Sequence, residues 1–306
     1  MPTVITRGGM AAKAVGFTSG QKTLTPGTVG IFAIGFSTCI GLPSTTRNKY
    51  TFACDVNGSA TSASSASSAG SAAGNSTKGI FALGFNSSCS CTTTRDKYTY
   101  SGDINSSAAS SSVAGGNGAA AGNSTRGIFA IGASKVTRNK YIYACDTSSS
   151  ATASSSNTYY GSAAGNSTRG IFVLGNFGST RNKYTYACDT NSCATSASSA
   201  SRGGAAVGTS TIGIFALGRR CGFGASITRD KYTYSSDTNS SATSSSTCSE
   251  YGAASGNSTR GIFALGGTLT TRNKYTYACN TNSSAANSSG TQFGSAASNG
   301  TCGVNT

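Results

Sequence analysis

The stretch GSAAGNSTRGIFVLGNFGSTRNKYTYACD, from Gly161 to Asp189, decides how this chain is read. Within it GIFVLG is apolar at every position and bounded by glycines, the pattern of a short strand covered on both faces. NKYTYACD alternates instead. It sets Tyr184, Tyr186 and Cys188 on one face and Lys183, Thr185 and Ala187 on the other. The preceding GSAA reads as a tight inner strand, with GNST as the hairpin turn out of it. The small residues from Ala194 to Ala200 read as a fourth strand of weak propensity.

Working outward, the same grammar recurs along the chain. Gly-Ile-Phe starts at Gly30, Gly79, Gly127, Gly170, Gly213 and Gly261, and Thr-Arg-Asn/Asp-Lys-Tyr at Thr46, Thr94, Thr137, Thr180, Thr228 and Thr271. Each tyrosine of the second string lies 29 residues before the next Gly-Ile-Phe. The span from Gly-Ile-Phe to Thr-Arg is 10 or about 15 residues. One connection varies and the rest is rigid, as in stacked structural units with one tolerant loop. This register also argues against disorder, which the abundance of Ser, Ala and Gly would otherwise suggest.

Four short strands, six times over, predict an all-β fold: a single six-bladed β-propeller of four-stranded antiparallel blades. A β-solenoid is the alternative architecture. Residues 1–29 read as an N-terminal arm, and residues 30–306 as the repeats with a closing strand. Both ends carry an echo of the inner strand, Arg7 to Gly16 and Phe293 to Thr301. One of them should complete the first blade and hide its edge.

The run from Gly261 to Gly267 followed by Tyr-Thr-Tyr-Ala-Cys resembles a kelch blade. It departs from kelch in lacking the tryptophan of the following strand and most Gly-Gly doublets. GNSTRGIFALG with TRNKYTY also resembles repeat arrays of bacteriophages and environmental bacteria, over nearly all of residues 30 to 300. That resemblance implies a propeller and a place in a virion. It implies no particular chemistry, because propellers host many roles.

Composition narrows the function. The 306 residues include no His and no Trp, and Lys+Arg 23 against Asp+Glu 8 leaves a formal charge of +15. Lack of histidine removes Ser-His and Cys-His nucleophiles, His-bound zinc and imidazole acid–base chemistry. No catalytic constellation, cofactor fingerprint or metal-ligand spacing is present, so the expectation is a protein that is not an enzyme and carries no cofactor. Cys54, Cys145, Cys188 and Cys279 share one repeated position, which reads as a small buried site. Twelve of the 23 basic residues come from the Thr-Arg-x-Lys strings, and Lys78, Arg126, Arg169 and Arg260 precede Gly-Ile-Phe. The excess therefore describes the repeat before any ligand, and nucleic acid is not the expected partner. The aspartate after Tyr-Thr-Tyr is expected to cap a turn or pair with a repeated arginine.

The N-terminus carries no apolar signal segment, and no apolar stretch is long enough for a membrane-spanning helix. The expectation is synthesis in a host cytoplasm and final residence in a virion, or else at a cell surface by a non-Sec route. The function read from this pattern is structural attachment within an oligomeric assembly, to other virion proteins or to a host-surface glycan. A glycan-binding propeller lectin is the alternative. Contact is expected through the long connections 36–45, 85–93 and 219–227, and through residues off the strict repeat positions: Phe36, Tyr159, Tyr160, Phe177, Arg219, Arg220, Phe223 and Tyr251.

Overall fold

The computed structural model describes residues 28–36 and 42–300, which form 27 strands and no helix. In the sheet that contains the opening stretch, Ser162–Gly165 is the innermost strand. Arg169–Val173, Arg181–Thr185 and Thr190–Ala194 follow outward, all antiparallel. Six four-stranded sheets share this order, and here each is called a blade. Their inner strands lie side by side around one axis, and the last, Ser295–Ser298, adjoins Ser71–Gly74 of the second blade. The array closes as a ring, so the solenoid alternative is set aside.

A seventh sheet is present, of three two-residue strands: Ser201–Arg202, Arg219–Arg220 and Gly224–Ala225. The sequence predicted six sheets and missed this one. It forms because the 219–227 connection is long enough to build its own rungs against the segment leading into an inner strand. A second correction concerns the fourth strand, which runs Thr190–Ala194 rather than Ala194 to Ala200. The turn after Thr185 is tight, with Asp189 at φ 51°, so the chain returns at once. That turn also overturns the buried reading of the repeated cysteines. Cys54, Cys145, Cys188 and Cys279 sit in it and are exposed.

The first blade is closed from the far end of the sequence. Ser295–Ser298 pairs with Val29–Ala33, and the buried Asn299 accepts a hydrogen bond from the Val29 amide at 2.9 Å. The Arg7 to Gly16 candidate lies outside the described residues.

Each blade grades from small to large to polar. The inner Ala pairs are fully buried where six strands converge, and the Ile-Phe and Tyr positions behind them fill the body of the ring. The outer strands, rich in Ser, Thr and Asn, face solvent. Hydrophobic clusters form between blades, not within them: Ala119, Ala121, Ile128 and Ala130 of the third blade pack against Phe172, Leu174, Tyr184 and Tyr186 of the fourth. Gly165 and Gly170 are opposed in register, and a Cβ on either would stand 2.6 or 2.8 Å from the Tyr186 hydroxyl. Glycine at this pair therefore makes room for the second tyrosine of the string.

Candidate functional site

Two sets of residues compete for the role of a site: the repeated charges and the aromatics that break the repeat. The charges prove to be internal. Strand alternation points Arg181 and Lys183 toward the fifth blade, while Asn182 and Tyr184 face the third. Arg181 reaches Asp230 at 2.7 Å and lies over the Phe215 ring at 4.7 Å. Arg138 does the same one blade earlier, over Phe172 at 4.5 Å and donating to Asn182 at 3.2 Å. Arg47, Arg95, Arg229 and Arg272 repeat it, and all six arginines are at most 1% exposed. Burial lowers their pKa values, to about 10 for Arg95, Arg138, Arg229 and Arg272, which keeps them charged at neutral pH.

The aspartates of the turns pair with lysines, not with the repeated arginines that the sequence suggested. Lys140 meets Asp189 at 2.8 Å, and Lys49, Lys97, Lys183 and Lys274 meet Asp103, Asp146, Asp237 and Asp55. Burial pushes the Asp55 carboxyl up, but hydrogen bonds from Lys274, Tyr50 and the Ala286 amide outweigh it and hold the group at about 2. With Arg219–Glu250 added, all eight acids of the sequence are in ion pairs. Lys78, Arg126, Arg169 and Arg260 donate to backbone carbonyls of the next blade, at Tyr143, Tyr186, Tyr234 and, across the closure, Phe52. The sequons behave as turns: Asn123 Oδ1 accepts from the Thr125 and Arg126 amides at 3.0 Å, and its Nδ2 donates to Ser167 of the next turn.

The aromatics gather at the end of the axis that carries the connections between second and third strands. The residue before the glycine that leads into each inner strand is Ala69, Asn117, Tyr160, Gly203, Tyr251 or Phe293, and all six have φ between 53° and 64°. Each amide donates to the carbonyl of the residue before it in this series, and Ala69 donates to Phe293 at 2.8 Å, so six hydrogen bonds of 2.6 to 2.9 Å close a ring. A non-glycine residue in this region costs of order 1 kcal/mol and persists only where its surroundings hold it. The ring does so, and it aims these side chains at one another. Tyr251 stacks on Phe293 at 4.3 Å, Tyr160 lies 5.0 Å from Tyr251 and 5.8 Å from Phe293, and Tyr159 and Phe36 flank them at 4.4 and 5.5 Å. Arg202 lies over both Tyr160, at 5.3 Å, and Phe177, at 4.2 Å.

Next to this cluster is a cavity of about 260 Å³ lined by Phe36, Pro43, Phe85, Asn117, Tyr160 and Phe293 among others. Asn117 is 5% exposed, and its Oδ1 has no hydrogen-bond partner.

Of the candidates named from sequence, Phe36, Tyr159, Tyr160, Phe177 and Tyr251 thus come together. Arg219 and Arg220 form the middle strand of the seventh sheet beside them, and Phe223 at its tip is 78% exposed. Part of the 36–45 connection, residues 37–41, lies outside the described residues. The sequence reading named Phe85 only within the 85–93 connection and missed Asn117, Arg202 and Phe293. The signal for Asn117 and Phe293 was available, since the column Ala-Asn-Tyr-Gly-Tyr-Phe before the inner-strand glycine varies where its neighbours do not.

Among the described residues no group of three or more His, Cys, Asp or Glu is placed to hold a metal. Among them there is no helix long and apolar enough to cross a membrane. No protein-family model matches the chain, and no curated protein matches it in sequence. Among solved structures it is similar to TolB from Acinetobacter baumannii, at 11% identity and a TM-score of 0.56, over 95% of this chain and 71% of that one. At that identity the likeness supports the propeller fold and says nothing of activity.

Proposed function

We propose that this chain is a non-enzymatic attachment module that engages a partner through the aromatic end of its axis. The observation that carries the reading is the segregation of repetition from variation. Every carboxylate is spent in an ion pair. The residues that depart from the repeat, Phe36, Phe85, Tyr160, Tyr251 and Phe293, collect at one end. Exposed Leu42, Val136, Phe223 and Ile227 lie on the connections at this same end. Apolar side chains gathered in this way on a water-facing surface mark interaction sites. The resemblance of the repeats to bacteriophage arrays supports a virion as the setting, with other virion proteins or a host surface as the partner.

The glycan-binding reading has less support. It asked for solvent-facing aromatic pockets repeated at blade junctions, and those junctions are filled by buried arginine, tyrosine and phenylalanine.

The test is to replace connections 36–45, 85–93 and 219–227 with the short connection of the third blade, around Ala133 to Val136. The seams remain, and the variant should fold. Quantitative mass spectrometry of purified particles should then find it depleted several-fold against the unaltered chain; undiminished incorporation would sink the reading.

A further inference from the structure

We propose that the opposite end of the axis, which carries the hairpin turns between first and second strands, docks on an anionic lipid surface. This face is distinct from the aromatic end, and nothing said of that end depends on it.

Charge is the first observation. Lys78, Arg126, Arg169 and Arg260 each open a second strand beside one of these turns, so four of the six blades carry a cation at one rotational position. Every carboxylate pairs with some other cation, which leaves these four uncompensated. They are half-buried, yet reachable. In the three arginines Nη1 donates to a carbonyl of the next blade, while Nη2 is neither hydrogen-bonded nor buried. The fold does not demand a cation there, because Val29 and Ile212 hold the same position in the first and fifth blades. The turns themselves are fixed: Asn75, Asn123 and Asn166 each donate to the carbonyl of the serine in the next turn, at 3.0 to 3.1 Å. A flat, charged face is thus set before any ligand arrives.

Exposed apolar surface is the second observation. Of the large hydrophobics exposed among the described residues, Leu42, Val136, Phe223 and Ile227 belong to the aromatic end, and Val56 and Ile104 to this one. Register puts Ile104 in one row with Lys78, through Thr99, and Val56 in one row with Val29, through Thr51. The other four blades have threonine at this point: Thr147, Thr190, Thr238 and Thr281. Val56 and Ile104, 53% and 56% exposed, therefore break the repeat on two adjacent blades. Cations and exposed aliphatic groups on one face suit a bilayer interface, where the cations meet phosphates and the aliphatic groups meet the acyl boundary. A single-stranded nucleic acid would ask for aromatic side chains to stack its bases, and neither exposed hydrophobic of this end is aromatic.

Sedimentation of the full chain with vesicles decides the matter, using phosphatidylcholine with a quarter phosphatidylserine against phosphatidylcholine alone. Binding to the mixed vesicles is expected, with little to the neutral ones, and it should weaken as salt is raised. A cation at an anionic leaflet is worth about fivefold in affinity, so Arg126→Ile and Arg169→Ile should each weaken binding by about that factor and together by about 25-fold. Both changes copy Ile212 of the fifth blade. Lys135→Ile removes the same charge at the aromatic end, a strand length away, and should change binding by less than about twofold, since charges more than about 10 Å apart are largely screened. Val56→Thr with Ile104→Thr copies the other blades and should weaken binding several-fold.

Equal binding to neutral vesicles overturns the proposal, and so does undiminished binding by the double arginine variant. Circular dichroism melting checks that each variant is folded. The threonine pair alters only exposed side chains, so it keeps the test decisive if the arginine variants melt early. Binding that ignores the threonine pair, and that a single-stranded oligonucleotide displaces, would overturn the lipid surface in favour of a soluble polyanion.

Discussion

At the seams between blades, Arg138 meets Asn182 and Phe172, and Arg181 repeats the contact one blade on with Asp230 and Phe215. At the aromatic end of the axis, equally equivalent positions hold Ala69, Asn117, Tyr160, Gly203, Tyr251 and Phe293. Both regions follow the same rotational order. In one, side chains are copied because each blade must fit the next. In the other, the backbone alone is copied, and the side chains are free to differ. The contrast separates what holds the ring together from what distinguishes one end of it.

That contrast can be broken in graded steps. The largest effect is expected from removing residues 294–306, which strips the inner strand from Val29–Ala33 and the Asn299 contacts with it. Cooperative melting of a monomer should be lost, as read by circular dichroism and size-exclusion chromatography; an unchanged melt would show that the ring does not need its closure. Next, Arg47→Ala strands the buried Asp96 carboxylate and should cost about 3–5 kcal/mol in urea unfolding. Arg138→Ala leaves only amides behind and should cost about 2–3 kcal/mol. Equal costs for the two would mean that carboxylate and amide seams do not differ.

Acid tests the lysine–aspartate pairs. Asp55 has a folded-state value of about 2 against an ordinary 3.8, so the folded form takes up a proton less readily than the unfolded form. Its contribution is complete above about pH 4 and fades as the pH falls through about 2. Asp103, Asp189 and Asp237 are lowered in the same sense, with burial again opposed by hydrogen bonds. Stability followed by denaturant midpoint should therefore drop below pH 4, and Asp55→Asn should flatten part of that slope.

Smaller still is the odd junction. Asn280 takes the turn position that aspartate holds in the other blades, at φ 50°, and Lys231 has no carboxylate across the seam. Asn280→Asp should stabilise by less than about 1 kcal/mol, as expected of a partly exposed pair. A loss of stability would show that the neighbouring Thr243 and Tyr275, which donate to Asn280, require the amide. Smallest of all, Phe223→Ser at the exposed tip should shift stability by no more than about 0.5 kcal/mol. A larger change would place that hairpin among the structural seams.

Strand type and order were legible because the periodicities are strict. The doubly covered GIFVLG strand and the alternating Tyr184 and Tyr186 both stand where the pattern put them. The exposed cysteines were not legible, since alternation predicts burial only while the strand continues, and it ends at Thr185. The seventh sheet was hidden for a related reason: two-residue rungs at Arg219–Arg220 are too short to carry any period. The site was half legible. Phe36, Tyr160 and Tyr251 stood out as aromatics off the strand positions, but Asn117 becomes notable only once its Oδ1 is seen to be buried without a donor. Polar atoms announce themselves through their missing partners, and those are a property of the fold.

The pairing of Val29–Ala33 with Ser295–Ser298 also has a consequence in time. During synthesis the second strand of the first blade leaves the ribosome long before its inner neighbour exists, and at ordinary elongation rates the wait lasts tens of seconds. Through that interval an apolar edge stays open, a template for any passing strand. Ribosome-bound chains halted just short of Ser295 should thus be more readily cleaved by protease in the first blade than in the third, with the difference vanishing once Ser298 has emerged. The strand Ser295–Ser298 is the latch for one made far earlier.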